Sequence, residues 1–584
     1  MQPHFEQKSE LNDILLDERK NSENPGEPTE ILLFIIPWGM LVFTALAYRP
    51  LMPIDETRYL SIAWEMWQRD DFLVPFLNGQ PYSHKPPLLF WLFSAGWWCF
   101  GVNDWWPRMV VPLFGLGSLG LTRLLARKLW PDTFGSAALA PLILLSFLLM
   151  EIFVTLTLFD ILIMFFTLTG ILGTLLIREK KERLGWLFLA LSVALGLLAK
   201  GPVIFLFLIP VGLAVPRIDQ PPGLSARYGL RWYGLHLAAW LAGSLAALCW
   251  AVPAGLHGGP EYAEALLWKQ TAGRLVHSFA HARPFWWYLA LLPLILFPWA
   301  FHPPFWRALA RQARRADFGT RLCLSWILIP FILFSLISGK QVHYLIPVLP
   351  GLALLAGKGF DELKTAPRSK DHWPISTLLM GLGGALLSLP FLAEHQLAPR
   401  GLKEISPWPG IVWIVLGGIP LALRFKSPAG AAKAVGLVGI ALIVVAQISA
   451  GDFLATRYDL KQTAEKLGTL QKSKYRLAHA GKYHGQYNYL GRLEKSPDIL
   501  KEGETVQWAG LHPQGAIILY CKNDPFFDPV LHPAKPDFVH GYQWGYVTIW
   551  ESGTILASPN ISRECRGSST STFYSGPLKN GRRP

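Results

Sequence analysis

The sequence predicts a polytopic α-helical membrane protein followed by a small α/β domain outside the membrane. Three observations carry that expectation. Apolar runs long enough to cross a bilayer recur along most of the chain, charge is scarce, and the basic residues sit in short clusters between the runs. Only 16% of the 584 residues are charged against 51% hydrophobic, where a soluble globular chain carries roughly 25% charged residues. Charge in hydrocarbon is expensive, and the deficit is what membrane burial demands. The 25 Trp residues suit many membrane–water interfaces, where the ring sits at headgroup level.

A crossing helix needs roughly 17–25 mostly apolar residues. The first such run is Ile31–Leu51. Others fall near 106–127, 134–153, 156–177, 184–199, 201–216, 235–256, 286–302, 321–338, 342–357, 374–393, 409–424 and 432–450. That makes about thirteen spans by this length criterion. Spans 184–199 and 201–216 are joined by only Lys200-Gly201, which requires a tight hairpin. Residues 88–100 are apolar, short and aromatic, and read either as a span or as a helix lying in the interface.

Charge asymmetry decides between these. The Lys/Arg-rich loops are Arg123–Lys128, Arg178–Arg183, Arg217–Arg231, Arg307–Arg321, Lys358–Lys370 and Arg424–Lys433. The positive-inside rule places all of them in the cytoplasm. With the polar tail 1–30 also cytoplasmic and disordered, the count closes only if 88–100 does not cross. Residues 31–450 are then the membrane domain, 52–105 a single long outer loop with interfacial helices, and 451–584 an extracytoplasmic domain. Strand-like runs at Ala516–Lys522 and Tyr546–Ser552 make that last region α/β. Net charge of +14 raises nucleic acid as a partner, but basic clusters confined to inter-span loops argue against it. Cys521 and Cys565 share the polar C-terminal region, where a disulfide is open to them. No cysteine spacing reads as a zinc site.

Chemistry-bearing residues collect in the outer loops. The first loop opens Asp55-Glu56-Thr57-Arg58-Tyr59, and helical spacing puts Asp55 and Arg58 on one face. Taken alone, Asp55 reads as an N-terminal helix carboxylate. The functional alternative makes it a base or acceptor-orienting group, with Arg58 on phosphate. The loop continues through Asn78-Gly79-Gln80-Pro81-Tyr82-Ser83-His84-Lys85-Pro86-Pro87, where a turn and a stiff double proline hold Lys85 at the interface. Lys85 is either a phosphate ligand or a lysine that snorkels to headgroups. Asp160 stands at the outer end of its span with no charge nearby in sequence, and an intramembrane carboxylate is a functional residue by default. Lys200, Lys340 and His343 face the same side, against the positive-inside bias, and anion binding explains them economically. Arg274, in the loop before Trp286, joins them, and Tyr344 follows His343.

Asp55-Glu56-Thr57-Arg58-Tyr59, Asn78-Gly79 and Lys85-Pro86-Pro87 resemble the first loop of the aminoarabinose transferase family that modifies lipid A. That family lies within the dolichyl-phosphate-mannose protein mannosyltransferase superfamily. Phe159-Asp160, Ala199-Lys200-Gly201-Pro202 and His343-Tyr344-Leu345-Ile346-Pro347 are similar to its later blocks, in order. The resemblance implies the C-type glycosyltransferase fold and a multi-pass protein of the bacterial inner membrane with a periplasmic C-terminal domain. It also implies undecaprenyl phosphate as carrier of the donor sugar, with membrane lipids and lipid A or another extracytoplasmic acceptor as partners. By position, Asp55 and Asp160 are the acidic catalytic residues, and Lys85, Arg58, Lys200, Lys340 and Arg274 the donor-phosphate ligands. Glu56, Tyr59, Tyr82, His84, His343 and Tyr344 fall among the remaining site positions. Two departures stand out. His84 occupies a position where the family often has Glu, and Gln270–Arg274 replaces a Glu-His pair. No cofactor is read from the sequence, and the departures leave a divalent metal open.

A polyprenyl phosphate leaves as an anion, so the reaction needs preorganised positive charge rather than a general acid. Transfer of another sugar, such as mannose, to protein or polysaccharide would use the same machinery. A transporter or flippase would place its ionisable residues at mid-membrane or in paired broken helices. The charges here hug one face.

Overall fold

The computed structural model of the chain describes residues 27–219, 228–269, 282–315, 317–395, 406–522, 535–561 and 565. They form two compact units. One comprises residues up to Ala47, Ser83–Leu92 and Cys99–Ser449, and the other Tyr48–Tyr82, Phe93–Trp98 and the chain from Ala450 onward. The second unit thus takes in much of the first loop together with the C-terminal stretch. The expected tail 1–30 lies almost wholly outside the described residues.

The first unit is a helix bundle. Among the described residues, nine helices are long and apolar enough to cross a membrane. The number is below the thirteen runs because two runs are broken into shorter pieces, Trp408–Ala422 is short, and the two runs on either side of Lys200-Gly201 count as the single stretch Glu182–Ile218. The run 134–153 is two helices, Phe134–Leu145 and Leu148–Phe153, and the run 286–302 is a helix at Trp287–Ile295 followed by a 3-10 turn at Trp299–Phe301. The two breaks satisfy each other. The Leu148 amide donates to the Phe297 carbonyl at 3.0 Å, and the Trp299 indole donates to Ser146 Oγ at 3.0 Å. Irregular backbone at membrane depth is tolerated where protein supplies such partners. The Leu88–Phe100 helix has 13 residues. At about 1.5 Å per residue it reaches roughly 20 Å, short of a ~30 Å hydrocarbon core.

At the centre is the helix Asp160–Arg178, nearly all of it buried. It packs against Glu182–Lys200 where two glycines meet: a Cβ on Gly173 would lie 2.7 Å from the Gly185 carbonyl oxygen, and one on Gly185 2.6 Å from that of Gly173. Small residues let membrane helices approach backbone to backbone. One end of the bundle is laced by ion pairs from the basic loops: Arg178–Asp219 at 2.7 Å, Lys128–Glu179 at 2.8 Å, Arg123–Glu30 at 3.4 Å and Arg315–Glu362 at 2.9 Å. Arg178 ends one helix and Asp219 follows the helix Phe205–Ile218. Their contact brings the chain back to its starting end, so the helices on either side of Lys200-Gly201 form a hairpin. Asp160, Lys200 and the turn at His343 therefore share the opposite end.

The second unit is built on a five-stranded mixed sheet ordered Asp498–Leu500, Arg476–Ala480, Gly515–Cys521, Gly545–Glu551 and Phe538–Tyr542. The first three strands are parallel, and Gly545–Glu551 runs antiparallel to both its neighbours. Ala516 and Ile518 face a core with Leu467 from the helix Lys461–Lys472, while Ile517 and Leu519 face a second core with Trp508 and Ile555. A strand covered on both faces reads as a continuous apolar run, as 516–521 does. Two of the five strands are the ones the sequence predicts, each one residue earlier than expected. Cys521 and Cys565 are joined by a disulfide. The helix Asp55–Arg69 and the hairpin Phe76–Leu77/Gln80–Pro81 belong to this unit.

Candidate functional site

Asp160 opens its helix and Lys200 closes the next, so two consecutive antiparallel helices bring the pair together from 40 residues apart. The carboxylate sits at a helix N-terminus and the ammonium at a helix C-terminus, where the helix dipole favours each charge. The Lys200 ammonium donates directly to Asp160 Oδ1, and both side chains are largely enclosed. His343 adds its ring nitrogen 3.9 Å from the same oxygen and lies against Phe153, with ring centroids 5.3 Å apart. Tyr344 offers its ring face to Lys200, whose Nζ is 5.0 Å from the centroid. Sequence spacing alone gave no reason to pair Asp160 with Lys200.

Lys85 reaches the same neighbourhood from the first loop. Its ammonium stands 5.5 Å from the ring centroid of Phe159, the residue before Asp160. Lys85, His84, Lys200 and Tyr344 line one cavity of about 490 Å³ whose remaining wall is mostly apolar, with Leu198, Leu248 and Trp250 prominent. Cations in the lining of a mostly apolar cavity suit an amphiphile with an anionic head. The apolar lining carried no sequence signal, because a leucine facing a cavity looks like one facing lipid. Lys340 goes elsewhere. It is buried, and its ammonium donates to the carbonyls of Ile337 and Arg283, the latter at 3.0 Å. With the Arg283 amide on the Ser338 carbonyl at 3.0 Å, it ties two backbone segments together. Arg274 lies outside the described residues.

Asp55, Arg58 and Tyr59, at the opening of the first loop, form a cluster within the second unit. Asp55 is exposed at the start of its helix and accepts from Arg58 one turn on, as the spacing predicts. Arg58 also lies over the ring of Tyr59, 5.4 Å from its centroid. Burial opposes its charge, but Tyr82, Tyr59 and Asp55 around it raise its pKa above the ordinary value. Burial, aided by Asp55, pushes the Tyr59 phenol well above its usual range, so it is neutral and can donate a hydrogen bond. Glu56 points away from this cluster. It is buried, pairs with Arg49 and accepts the Met52 amide at 2.8 Å, closing the turn into the helix. Among the described residues no group of three or more His, Cys, Asp or Glu is arranged to hold a metal ion.

The family model of dolichyl-phosphate-mannose-protein mannosyltransferases matches residues 29–309, and that of Alg9-like mannosyltransferases residues 281–400. Bundle and matches together define a multi-pass membrane glycosyltransferase. The undecaprenyl phosphate-alpha-4-amino-4-deoxy-L-arabinose arabinosyl transferase of Serratia proteamaculans is 31% identical over 64% of this chain and 68% of its own length. That of Pseudomonas aeruginosa is 32% identical over 66% of this chain and 69% of its own. The chain belongs to this arabinosyl transferase family. The crystal structure of ArnT from Cupriavidus metallidurans bound to undecaprenyl phosphate superposes with a TM-score of 0.67 at 18% identity, over 89% of this chain and 97% of that one. The likeness establishes a shared C-type fold.

Proposed function

We propose that the protein transfers 4-amino-4-deoxy-L-arabinose from undecaprenyl phosphate to a phosphate of lipid A at the outer face of the bacterial inner membrane. The observation that carries this reading is the apolar cavity edged by Lys85 and Lys200, with Lys200 held by Asp160. The bond between the anomeric carbon and the donor phosphate oxygen breaks, and its electron pair leaves with undecaprenyl phosphate. An oxygen of the acceptor phosphate attacks from the opposite face, so the anomeric configuration inverts. Lys85 and Lys200 stabilise the charge that develops on the leaving phosphate in a poorly hydrated site, where fixed cations act most strongly. Asp160 and His343 position Lys200.

An ionised acceptor phosphate needs no base. Asp55 then orients the acceptor and stabilises positive charge on the sugar, with Arg58 on phosphate and Tyr59 and Tyr82 shaping the cluster. An acceptor hydroxyl would instead use Asp55 as general base. The orientation puts the ion-paired end of the bundle and the N-terminus in the cytoplasm, in keeping with its lysine- and arginine-rich loops. The Cys521–Cys565 disulfide supports a periplasmic place for the second unit, because such bonds persist in oxidising compartments.

The test compares lipid A masses from cells with the gene, without it, and with Asp55→Asn, all supplied with the donor. One aminoarabinose increment present only with the intact gene is the expected result. Unmodified lipid A in cells that make both protein and donor would refute lipid A as the acceptor.

A further inference from the structure

The strand Arg476–Ala480 of the second unit runs into a short loop, Gly481-Lys482-Tyr483-His484-Gly485. Gly481 and Gly485 have φ of +89° and +73°, a region that favours glycine. The loop is pinned to the first-loop helix. Ser61 donates to the Gly485 carbonyl at 2.5 Å and accepts from the Tyr489 amide at 3.1 Å, while Asn78 donates to the Tyr483 carbonyl at 3.2 Å. Glu65, buried one turn beyond Ser61, accepts from Asn488 at 3.2 Å and from the Asn78 amide at 2.6 Å. The fit leaves no slack at Gly485: a Cβ there would lie 2.7 Å from Leu77 Cδ1.

This clamp sets the direction of what remains. Ser61 stands one helical turn from Arg58, so fixing Gly485 on Ser61 brings His484 beside Asp55 and Arg58. The electrostatics agree: burial lowers the His484 pKa, Arg58 and Lys482 lower it further, and Asp55 opposes them. His484 is half-buried and Lys482 exposed. Within the second unit, Arg58 and the His484 imidazole stand beside a single exposed carboxylate, itself already engaged by Arg58, and Lys482 lies two residues before His484 on the exposed side of the same loop. Such a cluster is poised for an anion, and a phosphate is the anion whose several oxygens would use all three donors.

We infer that Lys482 and His484 form, with Arg58, a binding subsite for a phosphate of the acceptor. This rests on the reading of the protein as a transferase acting on a phosphorylated lipid, and it gives the C-terminal domain a direct part in acceptor recognition. Lys482 supplies charge, and His484, neutral at pH 7, supplies one N–H. Neither enters the bond changes. They hold the acceptor, whose oxygen attacks the anomeric carbon as undecaprenyl phosphate leaves.

The test uses the full-length protein in nanodiscs, as Lys482→Ala, His484→Gln and Lys482→Arg. With lipid A as acceptor, the first two variants raise its KM about tenfold or more, as loss of a charge-assisted hydrogen bond implies, and leave the KM for the donor unchanged. Lys482→Arg retains most of the affinity. Direct titration with lipid A and with its dephosphorylated form separates the two claims. Wild-type protein prefers the phosphorylated lipid, and Lys482→Ala loses that preference. A preference that is lost in Lys482→Ala without any transfer by the wild type would uphold the subsite and overturn the transferase reading. Transfer by the wild type with unchanged acceptor KM in both variants would overturn the subsite alone.

Discussion

Lys200 donates its ammonium to Asp160 although a full helical hairpin separates them in the chain. The pair links the last turn of one helix to the first turn of its neighbour, and Lys200 lines the cavity that Lys85 also lines.

Removing one partner of such a pair strands the other. Lys200→Ala removes the hydrogen-bonded partner of the enclosed Asp160 carboxylate and leaves it the more distant His343, at 3.9 Å, and Lys85, and breaking a buried pair in this way costs about 3–5 kcal/mol. Both a lower unfolding temperature in detergent and loss of transfer are expected. Asp160→Asn keeps the shape and a hydrogen-bonding oxygen, so its unfolding temperature falls less than that of Lys200→Ala while transfer still drops. Equal unfolding temperatures for wild type and Lys200→Ala would show that the pair is not structural.

Lys85 and Asp55 should differ from Lys200 in what their loss affects. Lys85 faces the cavity without being buried in packing, so Lys85→Ala inserts and folds normally. If it holds the leaving phosphate, kcat falls by about 10²–10³, the loss seen when one preorganised charge-stabilising donor is removed. Asp55 is exposed, and Asp55→Asn should likewise leave the fold intact and lower transfer about 100-fold or more through loss of a charge aimed at the sugar. Steady-state kinetics with matched protein levels check both. Retention of full activity by purified Asp55→Asn removes Asp55 from the mechanism.

Local patterns in the sequence were enough to anticipate part of this arrangement. Apolar runs and loop charge fix which segments are helical and which ends lie together, because bilayer thickness and the cost of buried charge act on every residue of a span. Asp55 and Arg58 meet because one helical turn separates them. What stays hidden is non-local. The strands 476–480, 498–500 and 538–542 are short and partly polar, and are defined by their partners across the sheet rather than by their own propensity. The Ser61–Gly485 contact joins residues 424 apart. Lys340 reads from the sequence as a phosphate ligand and Glu56 as a site residue, yet the ammonium of one is taken up by backbone carbonyls and the carboxylate of the other by Arg49. A charged residue next to a turn does not reveal by itself whether it faces a ligand or closes the turn.

The Cys521–Cys565 bond joins cysteines 44 residues apart. By the chain-entropy account a loop of that length is worth up to about 4 kcal/mol. Cys521→Ser with Cys565→Ser should therefore make the second unit more sensitive to protease and lower its unfolding temperature, while the spans still insert. Mass spectrometry after alkylation of protein from cells is expected to find both thiols blocked until a reductant is added. Free thiols at 521 and 565 before reduction would remove this support for a periplasmic unit.

His479 gives the second unit a pH dependence whose sign is fixed. The residue lies in the strand Arg476–Ala480, almost fully buried, with its ring tilted against that of Tyr483, centroids 5.1 Å apart. Burial pulls its pKa down to about 4, from about 6.5 in the unfolded chain. The unfolded state therefore binds a proton that the folded state refuses between these values. The stabilisation from His479 is complete above pH 6.5 and is lost progressively as pH falls toward 4. The difference in pKa corresponds to about 3 kcal/mol at the acid end. Thermal unfolding of the full-length protein, followed by protease sensitivity of the second unit, should show its midpoint falling from pH 7 to pH 4.5. His479→Phe fills the same space against Tyr483 without a titrating group, and much of that slope should disappear. An identical slope in His479→Phe would assign the acid sensitivity to other groups.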